Sequence, residues 1–170
     1  LPVLDLRGLG QVALPLVACS SPAEPDCAVT PAGSHSSQIT VTGALGTEPV
    51  VTLPSPFDST TTERTVVISG DGERVGNGQV ASVKYAAFNA ATGDALELSP
   101  GSTWSDANFI VDEVKSFPGI YKALNCSRVG DRIVAAVPPA ELFGGLGVDM
   151  TAAGIGSTDT VVFVFDIESV

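Results

Sequence analysis

Positive charge is scarce in this chain of 170 residues: eight Lys and Arg stand against nineteen Asp and Glu, a formal net charge of −11. A surface that neutralises phosphates needs clustered basic residues. The eight here are scattered, which argues against nucleic-acid binding and against polybasic attachment to anionic lipid. The acidity reads as solubility charge. Histidine occurs once, as His35 in a Gly/Ser-rich stretch, so no Ser–His or Cys–His dyad can be assembled around the strands. No apolar run approaches the roughly 18 to 20 residues that a membrane-spanning helix requires. The Gly-rich run from Gly144 lacks the Lys-Ser/Thr ending of a phosphate loop and contains Asp149. Asp71 and Asp94 sit in turn sequences and need no metal to explain them.

What the chain does have is glycine (18 residues), proline (12 residues) and short apolar runs, a balance that favours strands and turns over charged surface helices. Its length suits one domain with an extension. Ile39–Thr42 and Val50–Leu53, separated by Gly43, Gly46 and Pro49, read as a hairpin. Thr65–Ile68 reads as a strand closed by Gly70-Asp71-Gly72, and Val80–Phe88 as a strand with Val83 and Tyr85 on one face. Ala95–Leu98 would be a short return strand. Around Pro118 the period changes from two to nearly four: Phe117, Ile120 and Leu124 form a stripe, and proline suits the first turn of a helix. Arg132–Val137 is a further strand, 144–159 a long loop, and Thr160–Ile167 the most strand-like run, with Val161, Phe163, Phe165 and Ile167 on one face. A sheet of about five strands against one short helix is expected.

The three cysteines are Cys19, Cys27 and Cys126. Val12-Ala13-Leu14-Pro15-Leu16-Val17-Ala18-Cys19 is an apolar run closed by a small residue and a cysteine, followed by a Ser/Pro-rich spacer. It resembles a bacterial lipobox, in which the cysteine is acylated and anchors an otherwise soluble chain. With Cys19 lipidated, two cysteines remain, and in an exported protein a pair points to a disulfide. Cys27–Cys126 would close a loop of about 100 residues, worth roughly 4 to 5 kcal/mol by the loop-entropy model. Cys19–Cys27 is the competing pairing if no lipid is attached.

The order of elements resembles the FKBP-type peptidyl-prolyl isomerases, residue by residue as well as in outline. The matching pieces are Gly70-Asp71-Gly72, Gly78-Gln79-Val80, Val83-Lys84-Tyr85, Gly93-Asp94, Phe117-Pro118-Gly119-Ile120, Val129-Gly130-Asp131-Arg132, Val137-Pro138-Pro139, Phe143-Gly144 and Thr160-Val161-Val162-Phe163. They run unbroken over about the last hundred residues. The cysteines and the segment before Arg64 are similar to the first such domain of actinobacterial secreted lipoproteins. The resemblance implies three parts: a signal remnant, lipobox and tether over 1–27, an N-terminal β extension over 28–63, and the FKBP-type domain over 64–170. It implies an α+β fold, a twisted antiparallel sheet of about five strands wrapped on one short helix. The activity implied is rotation of X–Pro bonds in exported, proline-containing polypeptides by a monomer outside the cytoplasm, touching membrane only through its lipid.

That chemistry needs a dry apolar cup rather than a nucleophile, a general base, a metal or a cofactor. By similarity the cup is lined by Tyr85, Leu96, Glu97, Phe109, Phe117, Ile120, Phe143, Ile155 and Phe163. Tyr85, Phe109 and Phe163 would form its walls, and Ile120 its floor. Glu97 would be its polar rim, and the Phe117 N–H would donate to a substrate carbonyl. Family members place Trp, Phe, Asp and Tyr where this chain has Ile120, Leu96, Glu97 and Phe143. Those changes imply weaker binding of ligands that use the lost polar contacts. They also leave room for a second function, a docking module that keeps the cup without turnover.

Overall fold

The computed structural model describes residues 27–97, 99–142 and 150–170. The lipobox around Cys19, most of the expected tether, the expected pocket residue Phe143 and part of the Gly-rich loop therefore lie outside the described residues. So does Leu98, the end of the expected return strand.

In chain order the elements are β1 (Thr40–Thr42), β2 (Val50–Thr52), β3 (Glu63–Ile68), β4 (Gln79–Asn89), β5 (Ser105–Val111), α1 (Pro118–Leu124), β6 (Arg132–Val137), α2 (Pro139–Leu142) and β7 (Val161–Ser169). β3 to β7 make one sheet in the order β3-β6-β7-β4-β5 with every neighbouring pair antiparallel. This is the mixed α+β architecture expected, five strands with one short helix against them.

Alternation along β7 and β6 explains why the sheet needs cover on both sides. Val161, Phe163, Phe165 and Ile167, with Ile133, Ala135 and Val137, face a core closed by Ile120, Ala123 and Leu124 of α1. Val162, Val164, Val134 and Ala136 face the other way, onto Ile39 and Val41 of the first hairpin and onto Val51, Leu53 and Phe57. Hence all six residues of β6 are buried. The hairpin is thus a third layer, with β1 opposite β2 in the register Thr40↔Thr52. Its loop is fastened by Arg132, fully buried, which donates to the carbonyls of Gly43 (2.9 Å), Ala44 (3.0 Å) and Thr47 (2.8 Å). Asp166 holds the same guanidinium through two bonds of 2.6 Å and also accepts the Gly46 N–H. A buried charge pair of this kind is tolerable because each remaining polar atom has a partner.

One strand differs from expectation. Ala95 makes only an isolated bridge to Phe88, whereas Ser105–Val111 is the fifth strand, paired with β4 from Gln79↔Val111 to Tyr85↔Ser105. Ser105, Asp106 and Asn108 dilute the apolar alternation there, as an edge strand tolerates. The 99-residue link between Cys27 and Cys126 is present as a disulfide, so the first of the two pairings is the one formed. It joins the start of the described chain to Cys126, two residues beyond the end of α1.

Candidate functional site

Pro118 shapes the mouth of the site. A residue before proline is pushed to extended backbone, and Phe117 has φ −59° and ψ 132°, which ends the preceding loop and turns its ring outward, 43% exposed. Pro118 then opens α1 at a position where its missing N–H costs nothing. Gly119 lets the helix lie directly on β6: a methyl group at 119 would collide with Val137 Cγ1 and lie 3.2 Å from the Glu141 carbonyl. Ile120 follows at once, buried and aimed into the pocket. α1 is also tied sideways. Glu141 accepts from Lys122 Nζ (2.6 Å) and from Thr62 Oγ1 (2.6 Å). Burial pushes the Glu141 carboxyl up, but these partners outweigh it and hold the group below the ordinary carboxylate range.

The pocket so formed has a volume of about 280 Å³. Eight of the nine expected residues line it: Tyr85, Leu96, Glu97, Phe109, Phe117, Ile120, Ile155 and Phe163. They come from β4, the strip after it, β5, the start of α1, the long loop and β7. Phe143, the ninth, is outside the described residues. The aromatics are oriented by a residue behind them. Fully buried Phe165 stacks on Phe163 (centroids 5.4 Å apart) and on Tyr85 (6.1 Å), and meets Phe109 edge-on (5.8 Å). Tyr85 and Phe109 also meet at 81°. Such offset and T-shaped contacts fix ring planes as well as burying area. Burial raises the Tyr85 phenol further above its ordinary value.

Sequence reasoning missed several contributors. Leu142 and Met150, with Ala87, Ala153 and Val161, complete the apolar lining. Asn89, at the end of β4 and 2% exposed, donates to the Gly154 carbonyl (2.8 Å) and to Asp159 Oδ2 (2.7 Å). Asp159 in turn accepts the Gly156 N–H (2.8 Å), so one buried amide fastens the described part of the overhanging loop beside Ile155. The available signal was an Asn closing an otherwise apolar strand end.

No protein-family model matches the chain, and no curated protein matches it by sequence. Solved structures do. FkpA from Escherichia coli superposes with a TM-score of 0.52 and 24% identity over 66% of this chain, and the match spans half (50%) of FkpA. A peptidyl-prolyl cis–trans isomerase from Pseudomonas syringae pv. tomato gives 0.51 at 18% identity, covering 64% of this chain and 74% of its own. The N-terminal domain of FKBP42 from Arabidopsis thaliana gives 0.52 at 12% identity, with 64% and 85% covered. The fold is FKBP-like. At these identities the likeness concerns the FKBP-like backbone, and what the pocket does must be argued from its own side chains.

Proposed function

We propose that the chain is a peptidyl-prolyl cis–trans isomerase acting on X–Pro bonds of exported polypeptides. The observation that carries this reading is the apolar pocket of about 280 Å³, walled by Tyr85, Phe109 and Phe163 with Ile120 beneath, on an FKBP-like fold. Rotation about an X–Pro bond faces a barrier of roughly 18 to 20 kcal/mol set by amide resonance. Uncatalysed, it takes tens to hundreds of seconds and can limit folding. At the twisted midpoint the amide has lost its resonance and much of its charge separation. A dry apolar site therefore favours it over the planar form, which is differential binding of the transition state. An isoleucine floor supplies the same dryness as a larger ring. Tyr85, a phenol that burial makes still harder to ionise, adds no charge to the site.

The Cys27–Cys126 disulfide supports action outside the cytoplasm, since such bonds persist in oxidising compartments. With Cys19 acylated, the isomerase works as a monomer at the outer membrane face on proline-containing clients, and stable anchoring takes more than one lipid chain. Exchange spectroscopy on Ala-Pro and Leu-Pro peptides tests the activity without a coupling protease. Wild type should accelerate exchange well above the uncatalysed rate. Phe163→Ala should lose about tenfold, with Phe163→Leu intermediate and both variants checked for native circular dichroism. Exchange at the uncatalysed rate in a folded wild-type protein would sink the enzyme reading and leave a docking module.

A further inference from the structure

Where the β4–β7 pair ends its two chains part, and an amide fills the fork between them. Asn89 stands opposite Val161 in the last pair of that ladder and is 2% exposed. An apolar side chain could be buried there without a hydrogen bond, whereas a buried amide needs a partner for each polar atom. Asn89 finds its partners on both chains. Its Nδ2 donates to the Gly154 carbonyl (2.8 Å) and to Asp159 Oδ2 (2.7 Å), both on the loop before β7. Its Oδ1 accepts the Ala91 N–H (2.8 Å) on the turn after β4. Its backbone closes the same turn, donating to the Asp94 carbonyl (2.9 Å) and accepting from the Gly93 N–H (2.7 Å). Each segment runs directly into the pocket, the turn into Leu96 and Glu97 and the loop from Gly154 into Ile155. The two segments also meet, since a methyl group at Gly154 would lie 3.8 Å from Leu96 Cδ2.

We propose that Asn89 is a positioning residue for isomerisation, acting through Ile155. This rests on the isomerase reading and adds to it what holds one side of the pocket in place. The aromatic walls are set independently, because Phe165 orients Tyr85, Phe109 and Phe163 by ring contacts. Leu96 is tied to β4, its N–H donating to the Ala87 carbonyl at 2.8 Å. Ile155 has no such ladder, for 154–159 belongs to no helix or strand. Hydrophobic contact is non-directional, so the place of Ile155 depends on polar groups that pin its backbone. Asn89 supplies one through the Gly154 carbonyl and another through Asp159, whose carboxylate also accepts the Gly156 N–H (2.8 Å). A hydrogen bond to a charged acceptor is roughly twice as strong as a neutral one. Pinned in this way, Ile155 closes against Leu96 and keeps water from the twisted amide. Unpinned, the pocket still holds a planar peptide between its aromatics but is no longer dry on this side. The loss therefore falls on kcat rather than on KM.

The test measures kcat and KM by exchange spectroscopy on an Ala-Pro peptide, using variants of native circular dichroism. Asn89→Asp sets one carboxylate against another across 2.7 Å, and like charges repel. Its kcat should fall about tenfold with KM within about twofold of wild type. Asp159→Ala removes the same bond from the loop side and should give the same pattern, so the test stands even where Asn89→Asp folds poorly. Asn89→Asp combined with Asp159→Asn exchanges donor and acceptor and restores the bond between the two side chains. It should recover most of the lost kcat, a rescue that general destabilisation does not give. Thr92→Ala, exposed in the same turn and bonded only to the Asp94 N–H, should match wild type. Wild-type kcat in folded Asp159→Ala overturns the proposal. So does a double variant no better than Asn89→Asp, which would make Asn89 a stabiliser of the fold alone. A wild-type protein at the uncatalysed rate removes the isomerase and this role with it, whereas wild-type turnover with an unaffected Asn89→Asp removes the role alone.

Discussion

Tyr85 shows how one residue serves core and site together. Its ring packs between Phe109 and Phe165, and no described side chain hydrogen-bonds its hydroxyl. A phenolate there would lose water without gaining a partner, so burial raises its pKa. The sign of the linkage follows. Above about pH 10 a free tyrosine ionises, the unfolded chain releases this proton first, and stability falls as pH rises through that range. Difference titration of wild type against Tyr85→Phe should place the Tyr85 phenolate signal above that of free tyrosine, with isomerisation flat through neutral pH in both proteins. A Tyr85 titration at or below the free value would contradict the burial. Tyr85, Phe117 and Phe163 were legible in the sequence because they stand inside the ordered motifs, whereas Phe109 stands between them. Phe165 appeared there only as a core residue, since nothing in a sequence reveals that one ring orients three others.

At the scale of elements, α1 was legible and β5 was not, for opposite reasons. Pro118, Gly119 and the Ile120–Leu124 spacing announce a helix start, a close approach and a buried face within seven residues. β5 alternates Ser105, Ala107 and Phe109 with Asp106 and Asn108, and as an edge strand it gains its order from β4 rather than from its own apolar content. The expected return strand after β4 is instead a strip whose Leu96 and Glu97 turn into the pocket. The helix offers the cleaner test. Gly119→Ala pushes a methyl group into Val137, and an overpacked core contact of this kind costs about 1 to 3 kcal/mol. Because Ile120 moves with the helix, kcat/KM should fall by more than the small loss of folded protein explains. Thermal melts and exchange rates on one sample separate the two effects; full activity in a destabilised variant would show that the pocket does not depend on helix seating.

The molecule as a whole is a sheet whose central strands, β6 and β7, are covered on both faces, and the covers are held by different means. α1 is held by packing, by Glu141 and, through Cys126 just beyond it, by the disulfide; the hairpin is held by the second apolar cluster and by Arg132 with Asp166. The N-terminal segment has a third fastening at the sheet's edge. Glu63 on β3 accepts the His35 and Ser36 N–H groups (2.8 and 2.9 Å) and the His35 ring (3.0 Å), while Phe57 stacks on that ring. Burial pushes the Glu63 carboxyl up, yet these hydrogen bonds bring it below the ordinary range. This contribution is therefore complete above about pH 4 and is lost as pH falls through the lowered folded value. Disulfide and edge fastening act on the same segment, so removing one should make the other matter more. Cys27→Ser with Cys126→Ser should cost about 2 to 5 kcal/mol in denaturant unfolding, since the 99-residue loop no longer restricts the unfolded chain. In that variant, acidification through the Glu63 range should release protease-sensitive N-terminal sequence before the sheet unfolds, whereas the oxidised protein should keep it until global unfolding. Simultaneous loss in both proteins would mean that the segment is held by the hairpin's apolar contacts alone.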